Sequence, residues 1–270
     1  MNLAPLETLG LETLSLEHPA PHVLVVRLNR PQVSNAMNTQ MGLDLHAVWS
    51  GLFEDAGDIR CVVFAAAGDR AFCGGGDLKE RNGMSDEAWK RQHEIFERAF
   101  WKQLDCPIPI IAAVSGHAFA GGLEMVLASD FAYGASTARF ALTEVTIGIM
   151  PGAGGTQTLP RVVGERRAKE IILAGKPFTA EQAREWGILN KVCEPGGLWA
   201  AVMETATAIA GNAPLSVRQA KKSIHFGLQM DIRTALRFEI EAYNHLIGTE
   251  DRIEGIRSFN EKRKPVFKGK

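Results

Sequence analysis

The sequence predicts an α/β fold over its first two-thirds and a helical region after it. Short, continuously apolar runs at residues 60–66 and 108–114 suit a sheet covered on both faces. They alternate with long segments of helical period, the pattern of a layered α/β structure. Beyond Pro151 the period is helical almost throughout.

In chain order, residues 13–17 and 22–29 read as strands, with Pro19 and Pro21 marking the turn between them. Asn35 to Asn38 lead into a helix on which Leu45, Val48, Trp49, Leu52 and Phe53 recur at helical spacing. The strand at 60–66 runs into a loop, 67–76, holding Gly68, Gly74, Gly75 and Gly76. A long helix follows at 86–104, with Trp89, Phe96, Phe100 and Leu104 on one stripe. The strand at 108–114 is kept extended at its start by Pro107 and Pro109. Residues 130–135 and 138–142 are short β pieces. Helices are expected at 166–174, 179–186, 198–211, 214–227, 232–247 and 251–262, with a last strand at 189–193. Thr179 with Gln182 forms a capping-box pattern, and Gly187 is a stop signal. No internal repeat of fixed period is visible. The division expected is a core at 1–195 carrying the site and a helical region at 196–270.

The composition narrows the function classes. A chain of 270 residues, 46% hydrophobic and of net charge −1, describes a globular protein with a sizeable core and no basic signature of nucleic-acid binding. A basic tail from Lys262 to Lys270 suits either a solvated terminus or a place beside an anionic ligand. Cys61, Cys73, Cys106 and Cys193 have no CxxC spacing and read as free thiols in a reducing compartment. The N-terminal stretch carries Glu7, Glu12 and Glu17, against a secretory or transit peptide. No apolar run approaches the roughly 20 residues of a membrane helix. The expected location is the cytoplasm.

Two glycine-rich turns and two carboxylates carry the chemistry. Gly121-Gly122 stands where a buried strand turns into a helix, which means either exposed N–H donors or close packing on a neighbouring strand. Gly74-Gly75-Gly76 has the same ambiguity and lacks the spacing of a nucleotide fingerprint. Glu124 lies in the first turn of an apolar helix, and Glu144 lies among Leu142, Val145 and Ile147. A carboxylate in such surroundings needs a partner, a proton or a function. Cys73 reads as a packing residue because no histidine nearby in sequence would activate it. His93 and His117 read as structural or surface residues. Trp89, Phe96 and Phe100 suit the core or an acyl tunnel. Lys79 or Arg81 suits a solvated helix start or a phosphate contact.

Taken together, these segments resemble the crotonase (enoyl-CoA hydratase/isomerase) superfamily. The residues concerned are Ala71 to Glu80, Ile110 to Gly116, Gly121-Gly122-Leu123-Glu124 with Asp130, Phe140 to Glu144, and Pro151 to Gln157. Asn29-Arg30-Pro31, Asn35-Ala36-Met37-Asn38 and Phe259 to Arg263 fit as well, so the likeness spans nearly the whole chain. It implies a crotonase-like spiral of ββα units with a helical C-terminal region for trimerisation and active-site cover. It also implies an acyl-CoA thioester whose carbonyl oxygen lies between two backbone N–H groups, assigned by motif to Gly74 and Gly121. Gly75, Gly76 and Asp77 are expected to contact the substrate beside them. Glu124 would orient and deprotonate water, and Glu144 would deliver the proton. The implied reaction is syn hydration of a 2-trans-enoyl-CoA, without metal or further cofactor, by a homotrimer or dimer of trimers. A methylglutaconyl-CoA-type hydratase or an isomerase is the alternative, since residues 77–85 look like the former. A non-catalytic acyl-CoA- or RNA-binding role is the competing class, and RNA binding would call for a basic helix that the sequence lacks. The sequence departs from the family pattern at Gly74 and Gly76, where alanines are usual, at Thr143 in place of proline, and at Ala120, where a third glycine is common. Alanine is harmless at position 120 if its φ is negative.

Overall fold

The computed structural model describes Leu6 and residues 9–270, so Glu7 lies outside the described residues. Its core is a spiral. The chain lays one strand in a six-stranded sheet, steps to a four-stranded sheet, and returns through helix or 3₁₀ turn. β1 (Leu14–Ala20) and β2 (Val23–Leu28) form an antiparallel hairpin, and β1 continues through Pro19, so the turn is tighter than the two prolines suggest. α1 (Thr39–Glu54) follows, capped by the Asn38 side chain. The first full turn of the spiral is β3 (Cys61–Ala66), β4 (Ala71–Cys73), the short α2 (Leu78–Arg81) and α3 (Asp86–Leu104). The second is β5 (Ile110–Val114), β6 (His117–Phe119) and α4 (Gly121–Leu127). The third is β7 (Phe131–Ala135), β8 (Arg139–Ala141) and a 3₁₀ turn, Glu144–Ile147. β2, β3, β5 and β7 run parallel in the large sheet, and β4, β6 and β8 run parallel in the small one. The turns differ in length because the first carries a long helix, and this hides the repeat from any fixed sequence period.

α5 (Gly155–Val163), α6 (Glu165–Ala174), β9 (Phe178–Thr179), α7 (Ala180–Glu185) and β10 (Lys191–Cys193) complete the core. Thr179 and Gln182 form the expected capping box. The apolar runs are explained by cover on both faces. Leu24, Val26, Val62, Phe64 and Ala112 point into the spiral with Trp49. Their neighbours Val23, Val25, Val63 and Ile111 meet Leu198, Val202 and Ala206 of α8 (Pro195–Ala210). The first helix beyond residue 195 therefore belongs to the core rather than to an appendage.

α9 (Pro214–Gly227) is tied to the sheet by Lys221, whose Nζ donates to Asp130 Oδ2 at 2.7 Å and to the Ile108 carbonyl at 2.9 Å. α10 (Ile232–Ile247) and α11 (Glu250–Asn260) follow. Phe238 packs its ring against Phe226 of α9 at 6.3 Å, and Leu246 is half-buried. The outward face of α10 is Ile232, Leu236, Ile240, Tyr243 and Ile247, all exposed. In the tail, Arg263 is occupied by Glu254 and Glu261, and Asp251 accepts from the N–H groups of Lys268 and Gly269 at 2.7 and 2.8 Å.

The glycines after β6 divide the two tasks left open by the sequence. A Cβ on Gly122 would stand 2.3 Å from the Cys73 carbonyl oxygen, so this glycine lets α4 lie against β4. Both partners of that contact are backbone, and neither can rotate away. Gly122→Ala should therefore destabilise the protein by about 1–3 kcal/mol, read as a lower denaturant midpoint. An unchanged midpoint would show that the contact has slack.

Candidate active site

The site is built by two loops that hydrogen-bond to each other. Asn35, with φ +50°, is fully buried and pins the first loop. Its Oδ1 accepts from Arg30 N at 2.8 Å, and its Nδ2 donates to the carbonyls of Ala67 and Ala71 at 3.0 Å. The second loop is stitched to this one at successive residues. Gly74 N donates to Ser34 O at 2.9 Å, Met37 N donates to Gly75 O at 2.8 Å, and Asp77 N donates to Met37 O at 2.9 Å. Arg30 clamps the end, with both terminal nitrogens 3.1 Å from Asp77 Oδ2.

This corrects the assignment of Gly74 as a donor to substrate, because its N–H is already given to Ser34. The open donor of the loop is Gly76, whose N–H meets no acceptor among the described residues. Gly121 is the other open donor, since the first N–H of a helix has no intrahelical partner. The loops carrying the two donors touch, with Gly121 N only 3.7 Å from where a Cβ on Gly75 would lie. Asp77 does not face substrate as expected. It caps α2 through the N–H groups of Lys79 and Glu80 and pairs with Arg30. Burial works against its charge, but these hydrogen bonds outweigh it and hold the carboxyl below its usual range.

Ala120, just before Gly121, has φ +51° and ψ −126°. The negative φ that would make alanine harmless is thus not what the turn adopts. Such a conformation costs an alanine on the order of 1–3 kcal/mol. It is held by Ala120 N donating to Ala141 O at 2.8 Å and by Ala120 O accepting from Leu123 N and Glu124 N.

Both acids reach the same cleft, of about 640 Å³, which Gly76 and Gly121 also line. Glu124 projects from α4 and is 3% exposed. Its Oε1 accepts from Ala153 N at 2.9 Å and Gly155 N at 2.8 Å. The Pro151 to Gln157 segment thus has a specific task, which is to hold one oxygen of Glu124. Burial raises the Glu124 pKa to about 7; the two N–H groups oppose this, and the neighbouring Glu144 charge adds to it. Glu144 opens its 3₁₀ turn, and neither carboxyl oxygen has a hydrogen-bond partner. Burial raises its pKa as well. Cys73 is fully buried and its thiol is pushed up to about 12 by burial, as suits a packing residue.

The remaining walls include residues not singled out for this purpose. His93 lines the cleft beside Trp89 and Phe96. Its ring stands against the glycine loop, 2.5 Å from where a Cβ on Gly152 would lie. The signal was present, because 89, 93, 96 and 100 form one helical stripe. Phe100 sits behind this wall, its ring filling the place of a Cβ on Gly154. His117 stacks on Phe119 at 5.5 Å and does not line the cleft. All lining residues fall between Met37 and Ala153, so within one chain residues 196–270 do not cover the site.

The two-sheet spiral with this cleft is the crotonase architecture. The chain belongs to the enoyl-CoA hydratase/isomerase family, whose model matches residues 20–270. A short-chain-enoyl-CoA hydratase of Clostridium acetobutylicum is 37% identical over 242 residues, covering 90% of this chain and 92% of the relative. An (E)-benzylidenesuccinyl-CoA hydratase of Thauera aromatica is 35% identical over 253 residues, covering 92% and 96%. The crystal structure of an enoyl-CoA hydratase from Bacillus anthracis superposes with a TM-score of 0.93 at 40% identity, covering 96% of this chain and all of that one. Membership supports an enzyme of the crotonase family.

Burial disfavours the charged form of Glu144 in the folded state. Its penalty is absent at low pH, where the group is protonated whether folded or not, and grows as pH rises past the ordinary carboxylate range. The thermal midpoint of Glu144→Gln relative to wild type should therefore rise as pH climbs above about 4, the ordinary carboxylate range. A difference that does not vary with pH would show that Glu144 is not desolvated.

Proposed function

We propose that the protein is an enoyl-CoA hydratase, adding water to the double bond of a 2-enoyl-CoA thioester to give a 3-hydroxyacyl-CoA. One observation carries the reading: two open backbone donors and two buried acids line one cleft. The thioester oxygen would lie between Gly76 N and Gly121 N. As the hydroxyl adds to C3, negative charge moves onto that oxygen, and preorganised donors stabilise it as it forms. Loss of one such donor typically costs about 10²–10³ in rate.

The acids supply the proton traffic. Glu124, with Oε1 fixed by two N–H groups, is held in one orientation, so it is placed to take the proton of water. Glu144, whose carboxyl oxygens carry no hydrogen bond within the chain and whose pKa is raised by burial, delivers a proton to C2. The hydroxyl and the proton reach the same face, and the pair ends with its proton count unchanged. Because the two acids interact, their apparent pKa values belong to the pair. This chemistry asks for no metal and no cofactor beyond the coenzyme A of the substrate. Cytoplasmic action is part of the proposal, and no described helix is long and apolar enough to cross a membrane.

Glu124→Gln and Glu144→Gln should each lower kcat for hydration of crotonyl-CoA by about 10²–10⁴ while leaving acyl-CoA binding in place. Unchanged turnover in either variant would remove that acid from the mechanism. A crystal structure with bound acyl-CoA should place the thioester oxygen within hydrogen-bonding distance of Gly76 N and Gly121 N. Finding it on Gly74 N would overturn the donor assignment.

We also propose self-association, as a trimer or dimer of trimers, through the apolar face of α10. Ile232, Leu236, Ile240 and Tyr243 are 72, 52, 55 and 62% exposed along one stripe, more than an isolated surface normally leaves in water. A neighbouring subunit would then supply the cover that residues 196–270 do not give within one chain. Light scattering should return a multiple of the chain mass, and Leu236→Glu with Ile240→Glu should reduce it. A wild-type mass of one chain would overturn this.

A further inference from the structure

The cleft holds a half-buried cation that the hydration chemistry does not use. Arg81 ends α2 and lines the same cavity as Glu124 and Glu144. Its guanidinium lies over the Trp89 ring at 4.3 Å, with the Phe96 ring 5.5 Å away. Nε donates to Gln92 Oε1 at 2.7 Å. Gln92 is 2% exposed, and its amide nitrogen donates to Thr39 Oγ1 at 2.8 Å and Glu80 Oε2 at 2.7 Å. Glu80, the nearest acid in sequence, also accepts from Thr39 N at 2.9 Å and makes no ion pair with Arg81. The side chain is thus fixed by stacking and by a buried amide. Neither terminal nitrogen of the fork has an acceptor among the described residues.

Burial pulls the pKa of this guanidinium down; the charge of Glu80, bridged to it through Gln92, opposes that in part but leaves the two terminal nitrogens without an acceptor. A planar fork fixed on its Nε side presents its two outer nitrogens in the geometry that matches a carboxylate. Its location says which part of a ligand it would meet. Nη1 is 3.2 Å from where a Cβ on Gly76 would lie, so the fork stands against the loop that offers the Gly76 N–H. A phosphate of coenzyme A is separated from the thioester carbonyl by the whole pantetheine arm. A cation beside the carbonyl site therefore reads the acyl group, not the CoA phosphates.

We propose that the preferred substrate carries a second carboxylate on a short acyl chain, and that Arg81 binds it through Nη1 and Nη2. Arg81 is then a specificity-determining residue. Two buried acids already line the cleft, and a third carboxylate would be repelled there without a cation to meet it. Of the other charged groups at the wall, Lys90 and Glu94 are exposed, are of opposite sign, and do not substitute for it. The inference rests on the acyl-CoA reading of the cleft but not on the hydration step.

Saturated thioesters separate the two. Calorimetric titration should show glutaryl-CoA binding wild type about 10- to 100-fold more tightly than butyryl-CoA, the range expected for hydrogen bonds to a charged group. In Arg81→Met that ratio should fall to near one, and in Arg81→Lys, which keeps charge without the fork, it should be intermediate. Using the ratio within each variant removes any general loss of folding or affinity. Wild type binding butyryl-CoA as tightly as glutaryl-CoA, or an Arg81→Met variant that keeps the preference, would overturn the proposal. Glutaryl-CoA preference without hydration of either glutaconyl-CoA or crotonyl-CoA would keep Arg81's role and sink the hydratase reading. Hydration of crotonyl-CoA without the preference would do the reverse.

Discussion

The site depends on how two loops share their hydrogen bonds. Residues 74–77 lie alongside residues 34–37, and the bonds between them use the N–H groups of Gly74 and Asp77 and the carbonyl of Gly75. What remains is the N–H of Gly76, open because the pattern leaves it so. Gly76 is half-buried and lines the cleft, so its open N–H is available to water or to a ligand. The loop that offers it is held by its neighbours: Asn35 is buried and bonded through both ends of its side-chain amide, and Arg30 is held on Asp77. In the proposed reaction that rigidity is what would make the donor useful, since a donor that must be reoriented during reaction loses much of its electrostatic advantage.

The same logic extends to the second donor and the acids. Gly121 offers its N–H because it opens a helix, and the turn that aims it forces Ala120 to positive φ. Strain of that kind persists only where surrounding contacts over-determine the backbone. Here they do, through Ala141 on one side and the first turn of α4 on the other. Glu124 is then placed by the helix that Gly121 begins and is held by the start of the next, at Ala153 and Gly155. Glu144 receives no such support. Both carboxyls are raised by burial, but one is held in a fixed orientation by two N–H groups and the other is left open to a partner in the cleft.

Much of this was legible in the residues, and the limits have physical reasons. The runs at 60–66 and 108–114 announced a sheet covered on both faces, because after Arg60 at the edge no polar residue interrupts them. α3, α9 and α10 were bounded correctly by caps, prolines and period. β6 was missed because its middle residue alone is buried, so alternation over three residues is indistinguishable from a turn. The helix over Gly155–Val163 was missed because glycine at its start and Pro160 inside it mimic a loop. The donor was misplaced by two residues because three consecutive glycines look alike in sequence. Only the partner of each N–H tells them apart, and Ser34, the partner of Gly74, is forty positions earlier. Arg81 could not be valued at all from sequence, since a charge after a loop is ordinarily solvated.

The spiral also separates chemistry from recognition. Gly121, Glu124 and Glu144 sit where the second and third turns of the spiral leave the small sheet, at positions fixed by strand pairing. Any shift there would move a donor and an acid together. Arg81, Trp89 and His93 come instead from the excursion between β4 and β5, which is joined to the sheets only at its ends. Its orientation is set by side-chain contacts, among them Gln92 with Arg81 and Glu80, and Phe96 and Ala99 in the core. Such contacts can change without altering the register of a single strand. The wall proposed to select the acyl group is therefore free to vary on a frame that holds the donors and acids still, and relatives as similar as those above are named for different acyl groups.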